Sequence, residues 1–273
     1  IAERYTYVPY IGLAIIIGWA ISKLWKSKSE MAGKAKLPVS IVAGLLGVWC
    51  CFLSFERTKV WKNGETLWTS AIKSLPAKNR AKAYDGRGMY YRKLNTTEYY
   101  KLAVQDFTNG IALSPKMYSL YSNRGSTYFD LNMDEAAEQD FLTAIELKPE
   151  SHEILCNLGA LYGRQNKHHK ALDFFNRSLT QKPGYADAHL QRGTLYSIIG
   201  RHQESIADYN EYLRLNPVSP QAKVYNGLGV NYFSLGQPQQ ALTYFQTAVQ
   251  LAPGNQEFQR NLDLCRKSLG TSN

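Results

Sequence analysis

Asn123-Arg124-Gly125-Ser126-Thr127-Tyr128 opens a unit that runs through Glu135-Ala136-Ala137-Glu138-Gln139-Asp140-Phe141-Leu142-Thr143-Ala144 and closes at Lys148-Pro149. The same skeleton returns along the chain. A glycine is followed three residues on by a tyrosine at Gly88/Tyr91, Gly125/Tyr128, Gly159/Tyr162, Gly193/Tyr196 and Gly229/Tyr232. Each pair is followed in turn by a proline: Pro115, Pro149, Pro183, Pro217 and Pro253. Successive prolines stand 34, 34, 34 and 36 residues apart. A fixed period in this range marks a repeat array, whose units bury their apolar faces by stacking on neighbours.

Between glycine and proline each unit carries a small residue (Ala103, Ala137, Ala171, Ser205, Ala241). Four residues later comes an aromatic (Phe107, Phe141, Phe175, Tyr209, Phe245), and three beyond that Gly110, Ala144, Ser178, Tyr212 or Ala248. Spacing of i, i+4, i+7 puts these three on one helical face, and the glycine–tyrosine pair does the same on the helix before. Each unit is thus expected to be two antiparallel helices, glycine and alanine facing each other and aromatics filling the space beside them. The proline ends the second helix, because it forces the residue before it out of helical geometry. Residues 80–253 resemble the tetratricopeptide repeat. The resemblance implies an all-α, right-handed solenoid of about five repeats, with residues 254–273 as capping helix and tail. Tyr212 departs from the pattern where a small residue is usual, and Leu155 and His189 stand where other units have Tyr84, Tyr121 and Tyr225.

The N-terminal region has a different texture. Residues 5–22 and 37–55 carry no charged side chain, a length near the minimum for crossing a bilayer. Residues 1–61 are therefore expected to be a membrane region with two transmembrane helices. The lysines between the runs (Lys23, Lys26, Lys28, Lys34, Lys36) would stay on the cytoplasmic side. On that reading the protein is integral to a membrane and its array is periplasmic or lumenal. The net charge of +10 falls before residue 116, since residues 116–273 hold 15 basic and 15 acidic side chains. Lys78, Arg80, Lys82, Arg92 and Lys93 are accordingly expected to meet anionic headgroups, with the lipid bilayer as a partner. A neutral array argues against nucleic acid, which would call for a basic stripe along it.

The opening string Glu3-Arg4-Tyr5-Thr6-Tyr7-Val8-Pro9-Tyr10 and the stretch Val60-Trp61-Lys62-Asn63-Gly64-Glu65-Thr66-Leu67-Trp68 carry a second resemblance. They look like the late membrane segment and the bridge to the repeats in polytopic, O-mannosyltransferase-like glycosyltransferases with C-terminal tetratricopeptide repeats. The resemblance implies a C-terminal portion of such an enzyme, with the catalytic part missing from this chain. Trp68, Ala71 and Pro76 reproduce the aromatic, small and proline places of a second repeat helix, so residues 62–79 are expected to form a half-repeat bridge.

No residue here forms a catalytic constellation, and no cofactor is expected. Cys156 and Cys265 are isolated and the five histidines show no ligand spacing, so no metal is expected either. In solenoids of this class the first helix of each pair lines the concave groove. Two residues before the repeat glycine, Asn123, Asn157 and Gln191 would project from successive helices as a carboxamide ladder able to hold a protein or peptide backbone. Arg87, Arg124 and Arg192, each just before its glycine, are expected to form salt bridges between repeats. Two functions stay open: a membrane-anchored scaffold holding a partner in its groove, or the acceptor-presenting part of a membrane glycosyltransferase that uses a lipid-linked sugar.

Overall fold

The computed structural model describes Leu45, Trp49, residues 62–218 and residues 221–270. Residues 1–70 and 71–273 form two units. The twelve helices with described bounds are α1 (Gly64–Ser74), α2 (Ala77–Lys93), α3 (Thr97–Leu113), α4 (Tyr118–Asp130), α5 (Asp134–Leu147), α6 (His152–Arg164), α7 (His168–Gln181), α8 (Ala186–Ile198), α9 (His202–Leu215), α10 (Ala222–Ser234), α11 (Pro238–Leu251) and α12 (Gln256–Ser268). Helices α2 to α11 are five hairpins in sequence order, repeats 1 to 5, and α12 follows them. No strand occurs among the described residues.

The turn inside each hairpin is built by its sequence. Asn95, Asn132, Asn166, Gly200 and Gly236 have φ of +57°, +59°, +59°, +76° and +71°. Asparagine and glycine are the residues that tolerate this left-handed conformation. In repeats 2 to 5 the amide after the left-handed residue returns to the carbonyl of the signature tyrosine: Met133 to Tyr128, Lys167 to Tyr162, Arg201 to Tyr196 and Gln237 to Tyr232, at 2.8–2.9 Å. This closing bond satisfies a carbonyl the helix end would otherwise leave open. At the other end of each hairpin the residue before proline has left the helix. Ser114, Lys148, Lys182, Asn216 and Ala252 have ψ of 73°, 81°, 91°, 61° and 73°.

The glycines face a different group from the one the sequence suggested. A Cβ on Gly88, Gly159 or Gly229 would lie 2.6 Å from the ring of Phe107, Phe175 or Phe245, and one on Gly125 2.9 Å from Phe141. The glycine therefore makes room for the aromatic ring of the second helix, not for its alanine. The alanines Ala103, Ala137, Ala171 and Ala241 are fully buried. Successive repeats join through the last small position: a Cβ on Gly110 would strike Leu120 of the next unit at 2.7 Å. Repeat 4 breaks this rule with Tyr212, which is buried beside Val224 and Leu228. The accommodation is visible in the chain. The link to repeat 5 is two residues longer than its counterparts, and Gly227 leaves space for Tyr209, whose ring would lie 2.6 Å from a Cβ there.

Among the described residues of 71–273, each of the first helices α2, α4, α6, α8 and α10 comes within 8 Å, Cα to Cα, of the next first helix, whereas no two second helices approach that closely. The first helices therefore form the inner, crowded layer and the second helices the outer one. The cap α12 buries Phe258, Leu262 and Cys265, and Asn255 closes its start by accepting the Glu257 and Phe258 amides.

The membrane reading does not stand. The longest helices with described bounds, α2 and α3, have 17 residues, about 26 Å against a hydrocarbon core of roughly 30 Å, and both carry charges. No helix among the described residues is long and apolar enough to cross a membrane. The expectation of an integral membrane protein with a periplasmic or lumenal array is corrected accordingly. The runs at 5–22 and 37–55 lie outside the described residues, apart from the exposed helical residues Leu45 and Trp49. Helix α1 forms where the half-repeat was expected, and none of its residues is buried.

Candidate functional site

The inner layer brings the carboxamide positions onto neighbouring helices, and it ties two of the three down. Asn123 Nδ2 donates to Asp85 Oδ1 on α2 at 2.8 Å, and Asn157 Nδ2 donates to Ser126 Oγ on α4 at 3.2 Å. Each asparagine thus fixes its helix to the first helix of the preceding repeat. Its Oδ1 accepts no hydrogen bond among the described residues. Gln191 is exposed. A fourth rung was missed: Asn261 of α12 lies eight residues past its proline, as Asn123, Asn157 and Gln191 do. Its Nδ2 donates to Asn226 Oδ1 at 2.9 Å. The spacing from Pro253 was the signal that could have found it.

Asp85 also accepts from Ser119 Oγ at 3.1 Å. Burial pushes its carboxyl above the usual range, and the bonds from Asn123 and Ser119 only partly counter this. Two neutral donors stabilise the anion less than a cation would.

Behind the ladder, repeats 1, 2 and 4 hold an arginine–aspartate pair that spacing alone did not place. Arg87, Arg124 and Arg192 bind Asp106, Asp140 and Asp208 through two parallel bonds each, all 2.7–2.8 Å. Each pair joins the two helices of one repeat, so the expected salt bridge lies within repeats. The remaining guanidinium nitrogen does reach back: Arg124 to Thr108 Oγ1 at 2.9 Å and Arg192 to Asn176 Oδ1 at 2.6 Å. The sequence signal was an aspartate just before the ring residue in the same three repeats that carry the arginine. In repeat 4 His189 joins the pair, Nδ1 lying 2.9 Å from Asp208 Oδ1 and Nε2 2.9 Å from the Pro183 carbonyl oxygen.

The basic residues assigned to a membrane surface have other settings. Arg92 binds Asp130 at 2.8 Å and Arg80 donates to the Leu75 carbonyl at 2.9 Å. Lys82 and Lys93 are exposed, and the Lys78 side chain lies outside the described residues. An exposed lysine is an ordinary solvated group, and with the membrane reading corrected nothing supports the bilayer as a partner of these residues. Burial pushes the Cys156 thiol up to about 12, which leaves it inert as a nucleophile. Among the described residues no group of three histidine, cysteine or acidic side chains could hold a metal.

A five-hairpin array with an inner layer of first helices and a capping helix defines a helical-repeat solenoid. Its repeats are tetratricopeptide repeats: family profiles of that description match residues 118–151, 156–220 and 222–255. Human "Protein O-mannosyl-transferase TMTC3" is 28% identical over 138 residues, 50% of this chain and 14% of that protein. Mouse "Protein O-mannosyl-transferase TMTC1" is 26% identical over 131 residues, 48% and 13%. The chain thus spans a small part of the length of these relatives. Among solved structures, the type IV pilus biogenesis factor PilW aligns with a TM-score of 0.63 at 22% identity, over 70% of this chain and 87% of its own. PilF of Pseudomonas aeruginosa also gives 0.63, at 14% identity over 72% and 87%. YrrB, described as a TPR protein with an unusual peptide-binding site, gives 0.51 at 19% identity over 71% and 96%. At these identities the structures share the fold.

Proposed function

We propose that the array is a scaffold that holds an extended segment of a partner polypeptide along the inner layer, across Asn123, Asn157 and Gln191. The observation that carries this reading is the fixed orientation of the two asparagines. With Nδ2 committed to the preceding helix, Oδ1 is left to accept a backbone N–H of a ligand, and such contacts make no demand on sequence. Gln191 supplies both a donor and an acceptor. The test is a display library of unstructured peptides selected on the chain, followed by replacement of Asn157 and Gln191 with alanine. Binding should fall while far-ultraviolet circular dichroism stays unchanged; undiminished binding ends the groove assignment.

A second reading is favoured by the two O-mannosyl-transferase relatives. In it the array presents an acceptor polypeptide to mannosyl transfer by the protein that carries this chain. Its test is transfer of labelled mannose to a selected groove peptide by that protein. The double replacement should raise KM for the peptide with little change in kcat, and an unchanged KM would reject presentation by the groove.

A further inference from the structure

Both ring nitrogens of His189 face groups that can only accept hydrogen bonds. Nδ1 lies 2.9 Å from a carboxylate oxygen of Asp208, and Nε2 lies 2.9 Å from the carbonyl oxygen of Pro183. A neutral imidazole has one N–H and one lone pair, so it satisfies one of these acceptors and sets its lone pair against the other. Only the imidazolium donates to both. The two acceptors also lie on different parts of the array. Asp208 belongs to α9, the second helix of repeat 4, and Pro183 to the turn that leaves α7, the second helix of repeat 3.

We propose that protonated His189 is a clamp across the junction of repeats 3 and 4, which opens when the ring loses its proton.

The other repeats supply the contrast. Where repeat 4 has His189, repeats 1, 2 and 5 have Tyr84, Tyr121 and Tyr225, so a titrating ring at this place is peculiar to one junction. The surroundings hold the charge in place. The ring is 12% exposed and Asp208 5%. The bond from Asp208 raises the histidine pKa above its ordinary 6.5; burial pulls it down, the Pro183 carbonyl raises it, and Arg192 opposes it as a neighbouring cation. Glu211 of α9 also interacts with the ring charge. Among the described residues α6 and α10 bring no charged group that shifts it; His152 of α6 packs edge-on against Tyr185, 4.7 Å between ring centroids, and burial lowers its pKa, so it titrates below His189.

On deprotonation the Nδ1 bond to Asp208 persists, being the charge-assisted one. Nε2 then presents a lone pair to the Pro183 oxygen, and the turn must move off. Because the folded pKa is raised, the clamp's contribution is complete below 6.5 and is lost as pH climbs through the folded value. The turn concerned is a compact one: the Tyr185 amide donates to the Lys182 carbonyl, and the Ala188 and His189 amides donate to Tyr185. Its counterpart between repeats 1 and 2, where the Met117 amide donates to the Ser114 carbonyl, holds no histidine and serves as an internal control.

The test uses the full chain, labelled with nitrogen-15, and reads ring nitrogen signals, with His189→Tyr to assign them. At about pH 6.5, where an unperturbed histidine is half protonated, most His189 rings should carry protons on both nitrogens. Amide exchange at Tyr185 and Ala188, corrected for intrinsic rate, should then rise about tenfold as the ring titrates, the loss of one charge-assisted bond. The Met117 amide should not follow. This exchange measurement needs no variant, so it decides the matter even if His189→Tyr folds poorly. A His189 that titrates at or below about 6.5, or exchange at Tyr185 that is flat across the titration, overturns the clamp.

Discussion

Repeats 1, 2 and 4 fill the space between their helices with charge, and repeats 3 and 5 fill the same space with rings. In the first group an arginine before the glycine meets an aspartate before the ring residue, and its guanidinium lies 5.7–5.9 Å from the signature tyrosine: Arg87 over Tyr91, Arg124 over Tyr128, Arg192 over Tyr196. In the second group the arginine place holds Leu158 or Leu228 and the aspartate place Phe174 or Tyr244. The tyrosine now stacks on that aromatic, Tyr162 on Phe174 at 5.4 Å and Tyr232 on Tyr244 at 5.2 Å. One backbone thus accepts two solutions because both present a flat, polarisable partner to the signature tyrosine. The unit exchanged is the pair. An arginine without its aspartate has no counter-charge in a half-buried slot, so both positions change together from repeat to repeat.

The most damaging way to break the comparison is to remove one half of an ionic pair. Asp140 is 6% exposed at its side chain and Arg124 18%. Asp140→Ala strands the guanidinium and should cost about 3 kcal/mol, read as a fall in the urea midpoint. Asp208→Ala should cost at least as much, since it strands Arg192 and His189 together. A loss below about 1 kcal/mol would show the pairs to be surface ion pairs in effect. Asp208 adds an acid limb. Burial works against its charge, but the bonds from Arg192 and His189 together outweigh it and hold its pKa below 3.8. That contribution is present above the ordinary carboxylate pKa and disappears as pH falls through the lowered one.

Next comes the feature both kinds of repeat share. Gly159→Ala drives a methyl into the Phe175 ring at 2.6 Å and should cost about 1–3 kcal/mol. Gly229→Ala against Phe245 should behave alike. Gly200→Ala, with nothing within 4 Å but a φ of +76°, should cost about 1 kcal/mol through backbone strain alone. Equal losses at all three sites would refute the packing account.

The sequence made the period, the hairpins and the cap legible, because each is dictated by residues close together in the chain. Glycine, proline and asparagine act on their own backbone, and a ring at fixed spacing must face inward. What it concealed were contacts across helices. Gly125 was matched to Ala137, its neighbour in the pattern, yet the ring of Phe141 is what a Cβ there would meet. Arg124 reads as a bridge between repeats, although Asp140, sixteen residues on, lies within its own. Asn123 and Asn157 read as free groove residues; only coordinates show Asp85 and Ser126 within reach of their amides. The apolar runs at 5–22 and 37–55 lie outside the described residues, Leu45 and Trp49 apart. Length and lack of charge permit a crossing without requiring one, and the described helices do not make it.

A conversion of one repeat type into the other would sharpen the comparison. Leu158→Arg and Phe174→Asp, made singly, each place a charge in a slot built for apolar contact, and each should destabilise repeat 3. Together they restore the arrangement of repeats 2 and 4, so the double mutant should recover about 1–2 kcal/mol relative to the sum of the singles. Additive losses would mean that the pairing depends on the wider repeat and is not carried by these two positions.

The smallest effects separate stability from binding along the ladder. Asn157→Ala removes the bond to Ser126 and should cost about 1 kcal/mol in unfolding free energy. Gln191→Ala removes an exposed side chain and should lie within about 0.5 kcal/mol of the parent. If the groove holds a polypeptide backbone, the ranking reverses or levels for affinity, because each change removes one ligand acceptor whatever it did for the fold. Thermal melts and peptide titrations on the same two variants therefore answer different questions. A Gln191→Ala protein that keeps both stability and affinity would confine the site to the tied rungs, where the amides are held in one orientation by the repeat before.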